Sequence, residues 1–200
     1  MIPPTLLSKE LLEPDLYASY TVRLANTIWS MTVNPQAWSP RTTFAVSVGM
    51  AGRWYRPKRR NSDSHGAGNY QLGKPCENEQ RGDIGQQTSG INLACSFPSY
   101  KNSFTVDTTF QAMVGYDKVQ GWLFTFDTAE TLRYKLCEAK SNVTALRLNL
   151  VASEIGSEDY TDICGFGAVS RLRMLKAVSL FFAHNYTSSA EKSICLTVTG

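Results

Sequence analysis

The segment "FAVSVGMAGRWYRP", residues 44–57, sets the reading of the whole chain. Phe44, Val46 and Val48 alternate with Ala45 and Ser47. That period of two predicts a strand over residues 43–49 with one buried face. The composition then changes abruptly. "RWYRPKRR", residues 53–60, places Arg53, Arg56, Lys58, Arg59 and Arg60 beside Trp54 and Tyr55. Pro57 is expected to prevent regular strand or helix and to hold the patch extended.

The same alternation recurs along the chain. Tyr20, Val22 and Leu24 show it, as do Ile91, Leu93, Cys95 and Phe97, then Trp122, Phe124 and Phe126. Leu132, Tyr134 and Leu136 follow, then Leu146, Leu148 and Leu150, and finally Ile194, Leu196 and Val198. Segments 27–33 and 103–116 read as further strands. Turn residues separate most of these runs, and no strand–helix alternation suggests a parallel sheet. The expected fold is therefore mainly β: a single antiparallel β-sandwich or barrel-like domain. One α-helix is predicted in the C-terminal half, over "RLRMLKAVSLFFAHN" with Ser170 as its cap. Residues 1–14 read as an N-terminal arm with a short helix around "TLLSKELLE", and residues 15–200 as the domain. Within it, residues 61–90 carry six glycines and few large apolar side chains, which predicts a long mobile loop.

Length and composition fit one globular domain: 200 residues, 42% hydrophobic and 18% charged. The net charge is +3, so outside the basic patch the chain nets −2. The N-terminus lacks the pattern of a signal peptide, and no apolar run approaches the ~18 residues of a membrane span. An intracellular protein of the cytoplasm or nucleus, or a virion component, is expected. The five cysteines, Cys76, Cys95, Cys137, Cys164 and Cys195, lack metal or redox spacing and read as reduced thiols, with one or two disulfides as the alternative. The sequons Asn142-Val-Thr and Asn185-Tyr-Thr do not decide the compartment.

Chemical motifs are few. "GNYQLGK" (68–74) matches a phosphate-binding loop until Pro75 replaces the Mg²⁺-holding hydroxyl, and neither the strand nor the helix that motif needs flanks it. "RGD" (81–83) falls in what reads as an exposed loop. The two histidines, His65 and His184, have no evident nucleophile partner, and no G-x-S-x-G turn occurs. No catalytic residue, metal ligand or cofactor is assigned. The basic patch is the strongest candidate. Arg53, Arg56, Lys58, Arg59 and Arg60 could grip phosphates while Trp54 and Tyr55 stack on bases or rest at a headgroup boundary. Arg173 and Lys176 on the predicted helix could extend that surface. "EIGSEDYTD" (154–162) carries the opposite charge on Glu154, Glu158, Asp159 and Asp162.

Together these features suggest a non-enzymatic structural protein of the viral coat or matrix kind. It would self-associate through the arm residues Leu6, Leu7, Leu11 and Leu12 and through the acidic segment. Nucleic acid or an anionic membrane would be its other partner. The alternatives are a protein-recognition module using loop 61–90 and an enzyme with a dispersed site.

Overall fold

The computed structural model describes residues 45–57, 72, 76–77, 81–82, 88–144 and 147–200. The arm at 1–14, the strands expected at 20–24 and 27–33, and Lys58, Arg59 and Arg60 lie outside the described residues.

The opening segment makes two strands rather than one. β1 (Ala45–Gly49) and β2 (Gly52–Pro57) are separated only by Met50 and Ala51, both buried. They enter different sheets. β1 pairs in parallel with β8 (Asn149–Ser153), from Ala45 opposite Asn149 to Gly49 opposite Ser153. β2 joins an antiparallel sheet with β3 (Cys76–Glu77), β4 (Thr88–Ser89), β5 (Thr105–Asp107), β6 (Ala112–Asp117) and β7 (Trp122–Phe126). Its strand order is β3-β2-β7-β6-β5, and β4 also pairs with β2. Pro57 ends β2 opposite Cys76 and does not break it.

Five α-helices complete the described fold: α1 (Ile91–Ser96), α2 (Pro98–Lys101), α3 (Ala129–Ser141), α4 (Ser170–His184) and α5 (Lys192–Cys195). The expected mainly β sandwich or barrel is thereby overturned. Among the described residues about 38% are helical against 26% in strands, no barrel closes, and one sheet is parallel.

Three runs read as strands contain helix, two of them for one shared reason. Residues i and i+4 lie in phase in both a strand and a helix, so Ile91/Cys95 and Leu132/Leu136 fit either period. The intervening residue decides: Leu93 and Tyr134 are 38% and 39% exposed, while Ala94 and Cys137 are buried. The third run, 194–198, begins on α5 and leaves it in a turn, with Cys195 buried and Ile194 exposed. α3 starts from a reciprocal cap between Thr128 and Thr131. The Ser188/Glu191 pair does the same for the short 3₁₀ turn Ser189–Glu191 that leads into α5. α4 forms where expected, although Val169 rather than Ser170 is its cap.

Two cores result. Val46, Val48, Leu132, Leu136, Leu175, Val178 and Phe182 fill the space between the parallel pair and helices α3, α4 and α5. Trp54, Ile91, Tyr100, Met113, Phe124 and Phe126 fill the space between the antiparallel sheet and helices α1 and α2. Disulfides reinforce both, contrary to the expectation of reduced thiols. Cys137 of α3 bonds Cys195 of α5, and Cys95 of α1 bonds Cys164 in the loop before α4. Their Cα atoms are 5.8 and 5.2 Å apart, and the bonds span 58 and 69 residues of chain. In the loop-closure picture, constraints of that length stabilise by about 4 kcal/mol each.

Gly52 shows how tightly the second core closes, because a Cβ at that position would overlap the Phe124 ring. Gly52→Ala should therefore cost roughly 1–3 kcal/mol by overpacking. Gly156→Ala, whose Cβ would meet nothing within 4 Å, should be close to neutral. Chemical denaturation of the two variants measures the difference.

Candidate functional site

The basic-aromatic segment is taken apart by the fold. Strand alternation sends Trp54 into the core, where it is 2% exposed and its indole Nε1–H donates to Ser89 Oγ at 2.8 Å. Phe124 lies against one side of it, with ring centroids 4.3 Å apart. Tyr55 is buried, and Arg53 lies over its ring at 5.6 Å. Arg56 is exposed, its guanidinium 5.9 Å from the Trp122 ring centre. Neither aromatic ring of the segment is therefore presented for stacking on a ligand. Arg173 and Lys176 are exposed on α4, but their neighbour Arg171 is only 1% exposed.

The segment expected to be a mobile loop contributes structure of its own. Leu72 is buried, and β3 and β4 pair with β2. Arg81, the first residue of the "RGD" tripeptide, is 2% exposed. Its guanidinium lies 4.3 Å from the Trp54 ring centre and 4.5 Å from that of Phe97, and it donates to Gln120 Oε1 at 2.9 Å. Cation–π contacts of this kind hold the segment to the sheet, and they withdraw Arg81 from the exposed tripeptide that the sequence suggested.

Beside Arg81, Asp117 organises the turn between β6 and β7. Its carboxylate accepts from Ser99 Oγ at 2.8 Å and from the N–H groups of Val119 and Gln120 at 2.8 and 3.1 Å. Burial pushes this carboxyl upward. The bonds from Gln120, Ser99 and Val119, with the charge of Arg81, outweigh that and hold it below the ordinary 3.8.

The surface that stands out is the loop 154–169. Of the four carboxylates expected there as contacts, Glu158 and Asp159 are interior, at 0% and 2% exposed. Glu158 pairs with Arg171 Nε at 3.0 Å, and Arg171 Nη2 donates to Ser157 O at 3.3 Å. Asp159 gathers the backbone N–H groups of Thr161, Ile163 and Cys164 at 3.2, 3.2 and 2.9 Å. Its own carbonyl accepts from the N–H of Val169 at 2.9 Å. Asp162 is exposed and accepts from Gly167 N–H at 2.7 Å, and Glu154 is exposed at the loop's start. Five residues of this loop sit at positive φ: the glycines Gly165 and Gly167 at 75° and 90°, and Glu154, Asp162 and Val169 at 55°, 58° and 50°. A β-branched residue there is strained, and its neighbours hold it.

So braced, the loop presents three large apolar side chains to solvent: Ile155, Tyr160 and Ile163, at 54%, 54% and 47% exposed. The Tyr160 hydroxyl donates to Ile155 O at 2.8 Å, which fixes its ring across the loop. Sequence pattern does not single these residues out, because charged side chains dominate the segment. The available signal was Ile, Tyr and Ile within nine residues of a polar, turn-rich segment.

An open cleft of about 490 Å³ lies elsewhere, between β5, β6 and the start of α3. Its polar lining serves the fold: Thr128 and Thr131 cap α3, and Arg133 donates to Val198 O at 2.6 Å.

Asp117 gives a pH test of the Arg81 end of the sheet. A carboxyl held below 3.8 contributes stability that is complete above that value and is lost as pH falls through its lower folded value. Asp117→Asn should therefore cost about 1–3 kcal/mol near neutrality. Its deficit against the parent chain should shrink below pH 3.8, as followed by denaturation across that range.

No family model matches the sequence, and no curated protein matches it, so the geometry alone bears on function.

Proposed function

We propose that this chain is a non-enzymatic, self-associating structural protein of the coat or matrix kind, and that loop 154–169 is its contact between copies. One observation carries the reading: Ile155, Tyr160 and Ile163 are exposed on a loop whose backbone is already fixed. Fixing a loop before binding removes an ordering cost from the association, and a clustered Tyr and two Ile supply apolar area that water disfavours. The occupant we assign is a second copy. Glu154 and Asp162 rim the apolar residues, and the same chain carries the answering charge on Arg56 and on Lys58, Arg59 and Arg60.

Polyanion binding is a second reading, for nucleic acid or an anionic membrane surface. Arg56 and Lys118 are both exposed at one end of the antiparallel sheet, where the chain runs on into Lys58–Arg60. It rests on charge, since Trp54 and Tyr55 are committed to the core. As to setting, two disulfides favour an oxidising compartment or a virion over the cytoplasm or nucleus. Among the described residues, no helix is long and apolar enough to cross a membrane.

The test is size in solution. The full chain should form concentration-dependent oligomers in sedimentation velocity. Tyr160→Ala with Ile163→Asp should weaken that association at least ~10-fold, the scale of a lost hot spot, and leave the circular dichroism spectrum unchanged. A parent chain that stays monomeric, or a double variant that assembles like the parent, would contradict the proposal.

A further inference from the structure

We infer that Asn142 and Asn185 are a pair of N-glycan acceptor sites grouped at one end of the α3–α4 helix pair. The two sequons are unrelated in sequence beyond their Asn-X-Thr pattern, yet the fold builds both in the same way. Each asparagine is the C-terminal cap of a helix: Asn142 closes α3 and Asn185 closes α4. Both are exposed. In each, the middle residue turns inward and anchors the turn, with Val143 6% and Tyr186 5% exposed in one and the same core. The acceptor side chain is thus held outward by the burial of its neighbour. Thr187 is exposed as well, and Thr144 is half-buried.

Lys140 ties the two turns together. It is 2% exposed, its ammonium donates to Thr144 O at 2.8 Å and Val143 O at 3.4 Å, and it stands 5.4 Å from the Tyr186 ring centre. Both acceptors therefore belong to one end of the helix pair. The contact loop precedes the opposite end of α4, whose 15 residues set the two surfaces about 22 Å apart. Sugars at one end leave the other uncovered. The disulfides are the independent support, because the compartment that forms them is also the one that attaches N-glycans.

The modification needs no oxidant. The carboxamide Nδ2 attacks the anomeric carbon of an oligosaccharide carried on a polyprenyl pyrophosphate, in an oligosaccharyltransferase of the host cell. The new N–C bond replaces the C–O bond to pyrophosphate, the lipid pyrophosphate leaves with the electron pair, and one amide proton is lost to a base. Asn142 Nδ2 donates to Glu138 O at 2.9 Å. It carries two hydrogens, so that bond can survive modification of the other.

The full chain is expressed behind a cleavable secretion leader in cultured animal cells, and its mass is measured before and after peptide N-glycanase. Two glycans are expected. Asn142→Gln and Asn185→Gln should each remove one and the double variant both, with Thr144→Ala and Thr187→Ala repeating the result while keeping each asparagine. A disulfide-bonded chain from this pathway carrying no glycan would overturn the inference. A chain with one glycan would overturn it for the unmodified asparagine.

Discussion

The Cys95–Cys164 bond is the constraint on which the exposed apolar loop 154–169 depends. It joins α1, which covers the antiparallel sheet, to the loop that enters α4, which covers the parallel pair. Without that tie the loop would rest on Phe166 packed against the second core, the Glu158–Arg171 pair and the Asp159 carboxylate. Removing one member of a buried ion pair is costly, but the intact pair repays little more than its desolvation. The covalent bond adds a constraint that does not depend on such a balance. It allows Ile155, Tyr160 and Ile163 to stay exposed in a defined arrangement instead of collapsing onto the nearest apolar surface.

The buried charges follow one logic. Arg81, Lys140, Asp159 and Arg171 each sit where the backbone changes direction, and each is answered there: by aromatic faces, carbonyl oxygens, amide N–H groups or a carboxylate. Charges so placed specify connections between segments distant in sequence. The cost is visible in Lys140, whose burial lowers its pKa from the ordinary 10.5.

Strand content was legible where alternation was clean, as in β1 and β7, whereas the single strand expected over 103–116 is two strands, β5 and β6, with a turn between them; α4 was legible from its apolar stripe. Leu132 and Leu136 were not, because a four-residue spacing fits both periods. The Ala129, Leu132, Leu136 and Ala139 spacing, all buried, carries the helical signal that a five-residue window omits. The parallel pairing of β1 with β8 joins segments about a hundred residues apart, and no local pattern encodes it. The site was half legible. Its acidic segment was found, but a carboxylate that caps backbone amides and one that faces solvent look alike in sequence, and Glu158 and Asp159 are of the first kind. The aromatic half of the basic patch was misread for the converse reason: alternation along β2 buries Trp54 regardless of the charges beside it.

The most direct measurement is disulfide mapping of the unreduced, alkylated full chain by mass spectrometry. The expected pattern is two linked peptide pairs, Cys95 with Cys164 and Cys137 with Cys195. Alkylated thiols at Cys95 and Cys164 in the folded chain, or either cysteine bonded to a different partner, would contradict it and leave loop 154–169 without the tie that holds its apolar residues in place.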